Sequence, residues 1–172
     1  MILEKTLMPR EMVPTFESVT PEHLRGLGIT HIFCDIDNTL ATYDDPTPPE
    51  NVVNWCRSMN DGGITVSFVS NNDHDRVKLF NRDFGYVAYA KAKKPLTGTL
   101  KRAMADAGGT PEKSALLGDQ LLTDAAAGNR AGLYVIIVPP IKDKKNLFFR
   151  TKRLLERPIM RAYRKKHKGE QE

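Results

Sequence analysis

The chain of 172 residues is 40% hydrophobic and 27% charged, which is the composition of a globular protein with one well-buried domain. No apolar run approaches the roughly 20 residues that span a bilayer, and the N-terminal residues, which include Glu4, lack the apolar core of a secretory signal. Cys34, Cys56 and the histidines show neither a disulfide framework nor zinc-ligand spacing, so we expect a reducing, cytoplasmic compartment.

The net charge of +5 is distributed unevenly along the chain. Residues 1–141 carry 14 Lys and Arg against 17 Asp and Glu, whereas residues 142–168 carry 12 basic residues against 2 acidic ones. We therefore expect anionic partners to bind at the C-terminal segment.

Short apolar runs alternate with longer amphipathic segments from residue 29 to residue 138. The runs predict strands and the longer segments predict helices, with glycines where the helices should end. The predicted strands are Ile29–Asp35, Ile64–Ser70, Tyr86–Ala90, Ser114–Gly118 and Leu133–Val138, and the predicted helices are Glu50–Asn60, Asp73–Phe84, Leu96–Ala107 and Leu122–Ala131. Strands joined by single helices form right-handed crossovers, so we expect a three-layer, Rossmann-like α/β fold: a parallel sheet with helices on both faces.

This pattern divides the chain into three segments. We expect residues 1–28 to be an N-terminal preface packed on the core, and residues 29–141 to form the α/β domain. Residues 142–172 are expected to form a basic amphipathic C-terminal segment.

Polar residues follow several of the predicted strands. The first strand ends in Asp35 and Asp37, the second in Ser70-Asn71-Asn72, and the fourth in Asp119, with Asp124 close behind. Ligands of open parallel sheets bind at the carboxyl ends of the strands, and buried carboxylates cost several kcal/mol unless a cation or partner offsets their charge. The sequence therefore predicts a cation site at this edge of the sheet.

The carboxylates suit phosphoryl transfer. Asp35 would attack phosphorus as the nucleophile, and Asp37 would protonate the leaving oxygen and then activate water. Mg²⁺ prefers oxygen ligands and keeps several waters, so Asp35, the backbone carbonyl of Asp37, and Asp119 would hold it. Asp124 is predicted either as a further ligand or as a partner of the ligands.

Candidate phosphate-binding residues complete this arrangement. Ser70 and Lys94 would neutralise the non-bridging oxygens of the phosphate, and Asn71 is a further candidate. Ser70 and Asn71 can alternatively cap the following helix. Lys94 is preferred over Lys91 and Lys93 because it precedes Pro95 at the expected start of a helix.

The order and spacing of these residues resemble the haloacid dehalogenase superfamily over residues 29–138. The segment Asp35-Ile-Asp-Asn-Thr-Leu40 resembles its first motif, Ser70 its second and Lys94 its third, and Gly118-Asp119 with Asp124 resembles its fourth. The resemblance implies a phosphatase with a Mg²⁺ cofactor and an aspartyl-phosphate intermediate.

Further segments resemble the YqeG-type subgroup, a capless (class IIIA) set of phosphatases similar to the phosphatidylglycerophosphate phosphatases of mitochondria and plastids. These segments include Met8-Pro-Arg10, Ala92-Lys-Lys-Pro95, Gly128-Asn-Arg-Ala-Gly132 and Val138-Pro-Pro-Ile141. The resemblance implies phosphatidylglycerophosphate as substrate and phosphatidylglycerol as product.

Cap domains in this superfamily follow the first or the second motif, and neither place has room for one. Residues 41–49 are too few, and the interval from Asn71 to Lys94 is filled by a predicted helix and strand. An open site admits a bulky phosphate, such as a lipid headgroup, a phosphoprotein or a nucleic-acid end.

Apolar residues recur at near-helical spacing among Lys and Arg from Leu147 to Tyr163, interrupted by Pro158. Such a segment can lie on an anionic membrane surface, so we expect peripheral contact at the inner face of the membrane. Two alternatives remain: a helix packed on the domain with a solvated basic face, or a segment that binds RNA or the ribosome. A phosphatase of another macromolecular or small phosphate ester is also consistent with the sequence.

Overall fold

The structure, a computed structural model, describes residues 2–142 and 158–166, with side chains from residue 5 onward. It contains a sheet of six parallel strands in the order β1-β6-β5-β2-β3-β4. The strands are β1 (Glu11–Met12), β2 (His31–Cys34), β3 (Thr65–Val69), β4 (Ala88–Tyr89), β5 (Ser114–Gly118) and β6 (Tyr134–Ile137).

One helix precedes β1, and further helices lie between the strands. They are α1 (Ile2–Leu7), α2 (Pro21–Gly26), α3 (Glu50–Asp61), α4 (His74–Asn81), α5 (Gly98–Asp106) and α6 (Ala126–Ala131). Residues 158–166 form a further helix, α7. A π-helical turn, Leu121–Ala125, leads directly into α6, so the single helix predicted over Leu122–Ala131 begins as a wider turn.

Side chains of β2 point alternately to two hydrophobic layers. Ile32 belongs to a cluster with Met59 of α3 and Phe80 of α4, whereas Phe33 belongs to a cluster with Leu100 of α5. All five of these residues are buried, as expected for a parallel sheet covered on both faces. The predicted α/β class with a parallel sheet between helices is confirmed.

The N-terminal preface contributes an edge strand that the sequence did not predict. Arg10 N donates to Val135 O at 2.9 Å, which pairs β1 with β6. Trp55 Nε1 donates to Val19 O at 2.9 Å, and Phe16 packs edge-to-face on Trp55 with ring centroids 5.4 Å apart. Residues of the preface are therefore integrated with both the sheet and α3.

Helix α7 packs on the flank of the sheet formed by β1 and β6. Ile159 is buried in a cluster with Leu7, Leu121 and Ile137, and Tyr163 Oη accepts a hydrogen bond from Met12 N at 3.0 Å. The exposed residues of this helix include Arg161, Arg164, Lys165 and Lys166. In this part of the tail the apolar side chains pack on the domain and the basic face is solvated, as one of the sequence alternatives proposed.

The rest of the predicted amphipathic segment, residues 143–157 and 167–172, lies outside the described residues. Within the ranges that the structure describes, no helix combines the length and the hydrophobicity needed to cross a bilayer.

Candidate active site

Asp35 follows β2 at the centre of the sheet. Its backbone N donates to Leu117 O at 2.9 Å, which continues the pairing of β2 with β5 for one residue beyond the strand. The side chain faces a pocket of about 250 Å³ at the carboxyl edge of the sheet. The pocket is lined by Asp35, Asp37, Tyr43, Ser70, Asn71, Asn72, Lys94, Gln120, Thr123 and Asp124.

Lys94 is the cation of this pocket that bridges two carboxylates. Its Nζ lies 2.9 Å from Asp35 Oδ1 and 2.7 Å from Asp124 Oδ1, and its side chain is 1% exposed. Lys91 and Lys93 are exposed. The structure therefore places Lys94 in the predicted position, although it lies on the loop after β4, and α5 begins only at Gly98.

Backbone pairing and a side-chain amide fix this loop. Ala92 N donates to Ser70 O at 2.9 Å, so the chain after β4 continues beside the end of β3. Asn71 Nδ2 donates to Lys94 O at 3.0 Å, and Lys94 N donates to Asn71 Oδ1 at 2.8 Å. Asn71 thus uses both polar side-chain atoms to hold the Lys94 backbone, a role that its assignment as a phosphate ligand did not foresee.

Three carboxylates lie close enough to share a cation. Asp35, Asp119 and Asp124 each offer an oxygen within 4.8 Å of the others. Asp119 Oδ1 accepts a hydrogen bond from Thr39 Oγ1 at 3.3 Å, and Asp124 Oδ2 accepts one from Gln120 N at 3.1 Å. These hydrogen bonds orient the acids without neutralising them.

Gly118 is required for the position of Asp124. A Cβ on Gly118 would lie 2.4 Å from Asp124 Cγ, which is closer than any real contact. The π-helical turn and this glycine together bring Asp124 against the end of β5. Because Asp124 is 1% exposed and pairs with Lys94, its geometry favours the role of a partner that positions the cation site.

The charges of this cluster are not balanced within the pocket. Burial raises the pKa of Asp35 to about 7, with Lys94 opposing the shift. Burial, reinforced by Asp124 and Asp35, raises the pKa of Asp119 to about 8. Burial disfavours the charge of Lys94, but Asp124 and Asp35 outweigh it and raise the pKa of Lys94 above its usual range.

A divalent cation fits this donor set. One ammonium pairs with two of the three clustered carboxylates, and closely spaced carboxylate oxygens are the ligands that hard divalent cations prefer. A bound cation would stabilise the charged forms of Asp35 and Asp119, whose pKa values burial raises. The carboxylate of Asp37 is not part of this cluster, consistent with a contribution through its backbone carbonyl.

The carboxylate of Asp37 is instead held by two polar side chains of the next crossover. Arg76 Nε donates to Asp37 Oδ1 at 3.1 Å, and Asn72 Nδ2 donates to Asp37 Oδ2 at 2.9 Å. Sequence reasoning missed Arg76, which lies in the first turn of α4 after the Asp73 N-cap. A search for cations in the first turn after each motif-bearing strand would have found it.

Ser70 lies inside the pocket, whereas Tyr43 lies at its rim. Ser70 is 1% exposed, and its Oγ accepts a hydrogen bond from Asn72 N at 3.1 Å, which leaves its hydroxyl proton available to an anion. Tyr43 lies at the rim, in the loop that follows Asp37, and is 43% exposed. Six of the seven predicted site residues therefore line one pocket: Asp35, Asp37, Ser70, Asn71, Lys94 and Asp124. The seventh, Asp119, joins them through its carboxylate, which is clustered with those of Asp35 and Asp124.

Comparison with known proteins supports this interpretation. A family model described as HAD-hydrolase-like matches residues 91–141, the segment that contains Lys94, Asp119 and Asp124. The chain is 36% identical over 165 residues to the protein described as "probable phosphatase YqeG" of Bacillus subtilis, a match that covers 96% of both chains.

Solved structures share the fold at low sequence identity. An uncharacterised protein of Listeria monocytogenes superimposes with a TM-score of 0.55 at 18% identity, covering 69% of this chain and 85% of that one. The cobalt-bound deoxy-D-mannose-octulosonate 8-phosphate phosphatase of Haemophilus influenzae superimposes with a TM-score of 0.53 at 16% identity, covering 80% and 90%. A putative phosphatase of the same type from Vibrio cholerae gives 0.54 at 15% identity, covering 72% and 75%. These similarities establish the α/β fold.

Proposed function

Because this chain belongs to the haloacid dehalogenase-like phosphatases, in the group that includes YqeG of Bacillus subtilis, we propose that it hydrolyses phosphomonoesters with Mg²⁺ through an aspartyl-phosphate on Asp35. The observation that carries this proposal is the contact of 2.9 Å between Lys94 Nζ and Asp35 Oδ1 inside a pocket that also contains Asp37. This contact supports the proposal, because one cavity then holds the carboxylate proposed as nucleophile, a cation for the phosphoryl oxygens and a second carboxylate.

The reaction would proceed in two displacements. A carboxylate oxygen of Asp35 attacks phosphorus while the bond from phosphorus to the leaving oxygen breaks, and Asp37 transfers its proton to that oxygen. Water then attacks the aspartyl-phosphate and gives a proton to Asp37, which releases inorganic phosphate and restores Asp35. Ser70 and Lys94 would hold the non-bridging oxygens through both steps.

Asp35, the backbone carbonyl of Asp37, and Asp119 would hold the metal ion. When bound, Mg²⁺ would neutralise charge that builds up on the phosphoryl oxygens during the transfer. Asp124 would act by fixing Lys94 and completing the negative charge of the site, since its side chain is buried against Lys94. We assign this catalytic role to residues 29–141.

For the physiological substrate we propose phosphatidylglycerophosphate. Residues 41–49, which follow Asp37, form a short loop, and in the described part of the chain neither crossover beside the pocket contains a folded cap. A lipid headgroup at a membrane surface can reach such a site without enclosure.

The position of α7 supports an approach along an anionic surface. Ile159 packs in the same cluster as Leu121, which follows the pocket-lining Gln120, so α7 flanks the edge of the sheet that carries the site. Its exposed Arg161, Arg164, Lys165 and Lys166 present positive charge, and each cation near an anionic membrane contributes on the order of 1 kcal/mol. The protein would then work at the inner face of the membrane by electrostatic contact.

The experiment is a substrate panel at fixed Mg²⁺. It compares phosphatidylglycerophosphate in mixed micelles with soluble sugar phosphates, a phosphopeptide and an aryl phosphate. We expect the largest kcat/KM for the lipid and no turnover of any ester by Asp35→Asn. A higher kcat/KM for a soluble ester would reject the lipid assignment while leaving the phosphatase chemistry intact.

The basic face of α7 also fits the alternative of RNA or ribosome binding, since a basic patch alone does not choose its polyanion. Replacing Arg161, Arg164, Lys165 and Lys166 by Gln separates the possibilities. The matched control replaces four other exposed cations by Gln: Lys78, Lys101, Arg102 and Lys113. We expect the quadruple variant to lose sedimentation with anionic vesicles and to keep aryl-phosphate hydrolysis. Tighter, salt-sensitive binding of the wild type to RNA than to vesicles would favour the alternative.

A further inference from the structure

Arg76 connects the Asp37 carboxylate to the loop that forms the rim of the pocket. Its Nε and Nη2 both lie 3.1 Å from Asp37 Oδ1. The same guanidinium donates from Nη1 to Pro46 O at 3.0 Å and from Nη2 to Thr42 O at 3.2 Å. One side chain therefore fixes both a proposed acid/base group and the loop segment between residues 42 and 46.

The guanidinium is itself fixed. The Arg76 side chain is 11% exposed, and its Cζ lies 5.2 Å from the ring centroid of the buried Phe80. The planar fork of arginine can satisfy several acceptors at once in a set geometry, which a lysine ammonium cannot do. Arg76 is therefore placed to hold the Asp37 carboxyl in one orientation, which a mobile surface cation would not do.

We propose that Arg76 is a positioning residue that aims the Asp37 carboxyl at the leaving-group oxygen of the substrate. The inference rests on the proposed role of Asp37 as acid/base. Arg76 occupies Oδ1 and Asn72 donates to Oδ2 at 2.9 Å, so rotation of the carboxyl is blocked from both sides. Each carboxyl oxygen has two acceptor positions, so Oδ2 can accept from Asn72 and carry the transferable proton at the same time.

The chemistry gives this role a specific signature. When the bond from phosphorus to the leaving oxygen breaks, an alkoxide needs the proton of Asp37, whereas a nitrophenolate is stable enough to leave without one. If the Asp37 carboxyl no longer points at the leaving oxygen, phosphoryl transfer from an alkyl phosphate should therefore slow much more than transfer from an aryl phosphate. A purely structural defect should slow both esters equally.

The test compares glycerol 3-phosphate with p-nitrophenyl phosphate for the full-length wild type, Arg76→Gln and the control Arg82→Gln, at saturating Mg²⁺. Arg82 is an exposed arginine at the end of α4 that pairs with the adjacent Asp83. We expect Arg76→Gln to lower kcat/KM for the alkyl ester by about 10–100-fold, less than the roughly 100–10,000-fold that a general acid contributes in full, and to lower kcat/KM for the aryl ester less than threefold. The ratio kcat/KM reports the first displacement, whereas kcat also includes the attack of water, in which Asp37 serves both esters alike. Arg82→Gln should match the wild type with both esters.

Equal losses of kcat/KM with the two esters, or no loss with either, would overturn the proposal. If Arg76→Gln does not fold, Asn72→Ala tests the same idea, because it removes the other hydrogen bond to Asp37 and should show the same preference for the aryl ester. Asp37→Asn separates the inference from its premise. If Asp37→Asn shows the leaving-group signature and neither positioning variant does, Arg76 has no such role; if Asp37→Asn lacks the signature, the acid/base assignment itself fails.

Discussion

Lys94 Nζ donates to Asp35 Oδ1 at 2.9 Å across 59 residues of sequence. The contact exists because β2 ends at the centre of the sheet while the loop after β4 runs back along the end of β3. The contact joins Asp35, the proposed nucleophile, to the ammonium of Lys94, which would bind the phosphoryl group that Asp35 attacks. Both side chains are at least 90% buried.

Lys94→Met should abolish activity and lower stability. The substitution leaves Asp35 and Asp124 buried without their cation, and breaking a buried pair on one side costs about 3–5 kcal/mol. Urea unfolding in EDTA measures this loss, and added Mg²⁺ should recover part of it. Lys93→Gln, at an exposed neighbouring lysine, should change neither the free energy of unfolding nor kcat; retention of activity by Lys94→Met would contradict the assignment.

Asn71→Ala should lower kcat by about 10–100-fold, since it releases the backbone of Lys94 and small displacements of catalytic groups are costly. Asn81→Ala is the matched control. The Asn81 side chain also holds a backbone on both of its polar atoms, away from the pocket: Nδ2 donates to Tyr86 O at 2.8 Å, and Oδ1 accepts from Tyr86 N at 3.1 Å. Both variants should lose about 1–3 kcal/mol of stability. Equal kcat values for Asn71→Ala and Asn81→Ala would show that the hydrogen bonds from Asn71 to the Lys94 backbone have no catalytic importance.

Gly118→Ala should weaken metal binding. The added Cβ would displace Asp124, whose Cγ lies 2.4 Å from that position, and loss of such supporting contacts typically costs about 10–100-fold in metal affinity. The affinity is measured by calorimetric titration with Mg²⁺. Gly26→Ala introduces the same methyl group with no atom within 4 Å and should leave the Mg²⁺ affinity unchanged. If Gly118→Ala also leaves the Mg²⁺ affinity unchanged, the position of Asp124 does not affect the cation site.

The metal-free protein should lose stability as the pH rises from about 5 to 8. The folded-state pKa values of Asp35 and Asp119, about 7 and about 8, lie above the 3.8 of an unperturbed Asp. The folded state therefore binds protons more tightly than the unfolded state, and this contribution is complete below the unfolded pKa and is lost as the pH passes through the folded values.

Thermal unfolding in EDTA at several pH values tests this dependence. Asp119→Asn removes one of the two groups, so the difference in Tm between Asp119→Asn and the wild type should grow with pH. Mg²⁺ should raise the Tm of the wild type most at the upper end of this range, because it binds the deprotonated acids. A Tm difference that is constant from pH 5 to 8 would contradict the account.

Strand ends explain why much of the site could be predicted from the sequence. Asp35, Ser70 and Asp119 follow apolar runs whose period and length indicate buried strands, and parallel strands place their carboxyl ends together. β1 could not be predicted in this way, because Glu11–Met12 includes a charged residue and does not belong to an apolar run. It forms only because β6 offers a free edge.

Contacts of side chains with distant loops could not be predicted from sequence patterns. Arg76 has the sequence environment of an ordinary helix-surface arginine, and its partners Asp37, Thr42 and Pro46 are brought to it by the tertiary path of the rim loop. Asn71 was predicted as a phosphate ligand or a helix cap, whereas its bonds to Lys94 depend on the loop after β4.

The most direct test of the central claim is to trap the covalent intermediate. Wild-type protein is mixed with Mg²⁺ and a phosphate ester, quenched in acid during the first turnovers and analysed by peptide mass spectrometry, with Asp35→Asn and Asp119→Asn in parallel. The account predicts one phosphoryl group on Asp35 in the wild type and none on this peptide in Asp35→Asn. Turnover by Asp35→Asn at the wild-type rate, or a phosphoryl group on a different residue of the wild type, would contradict it.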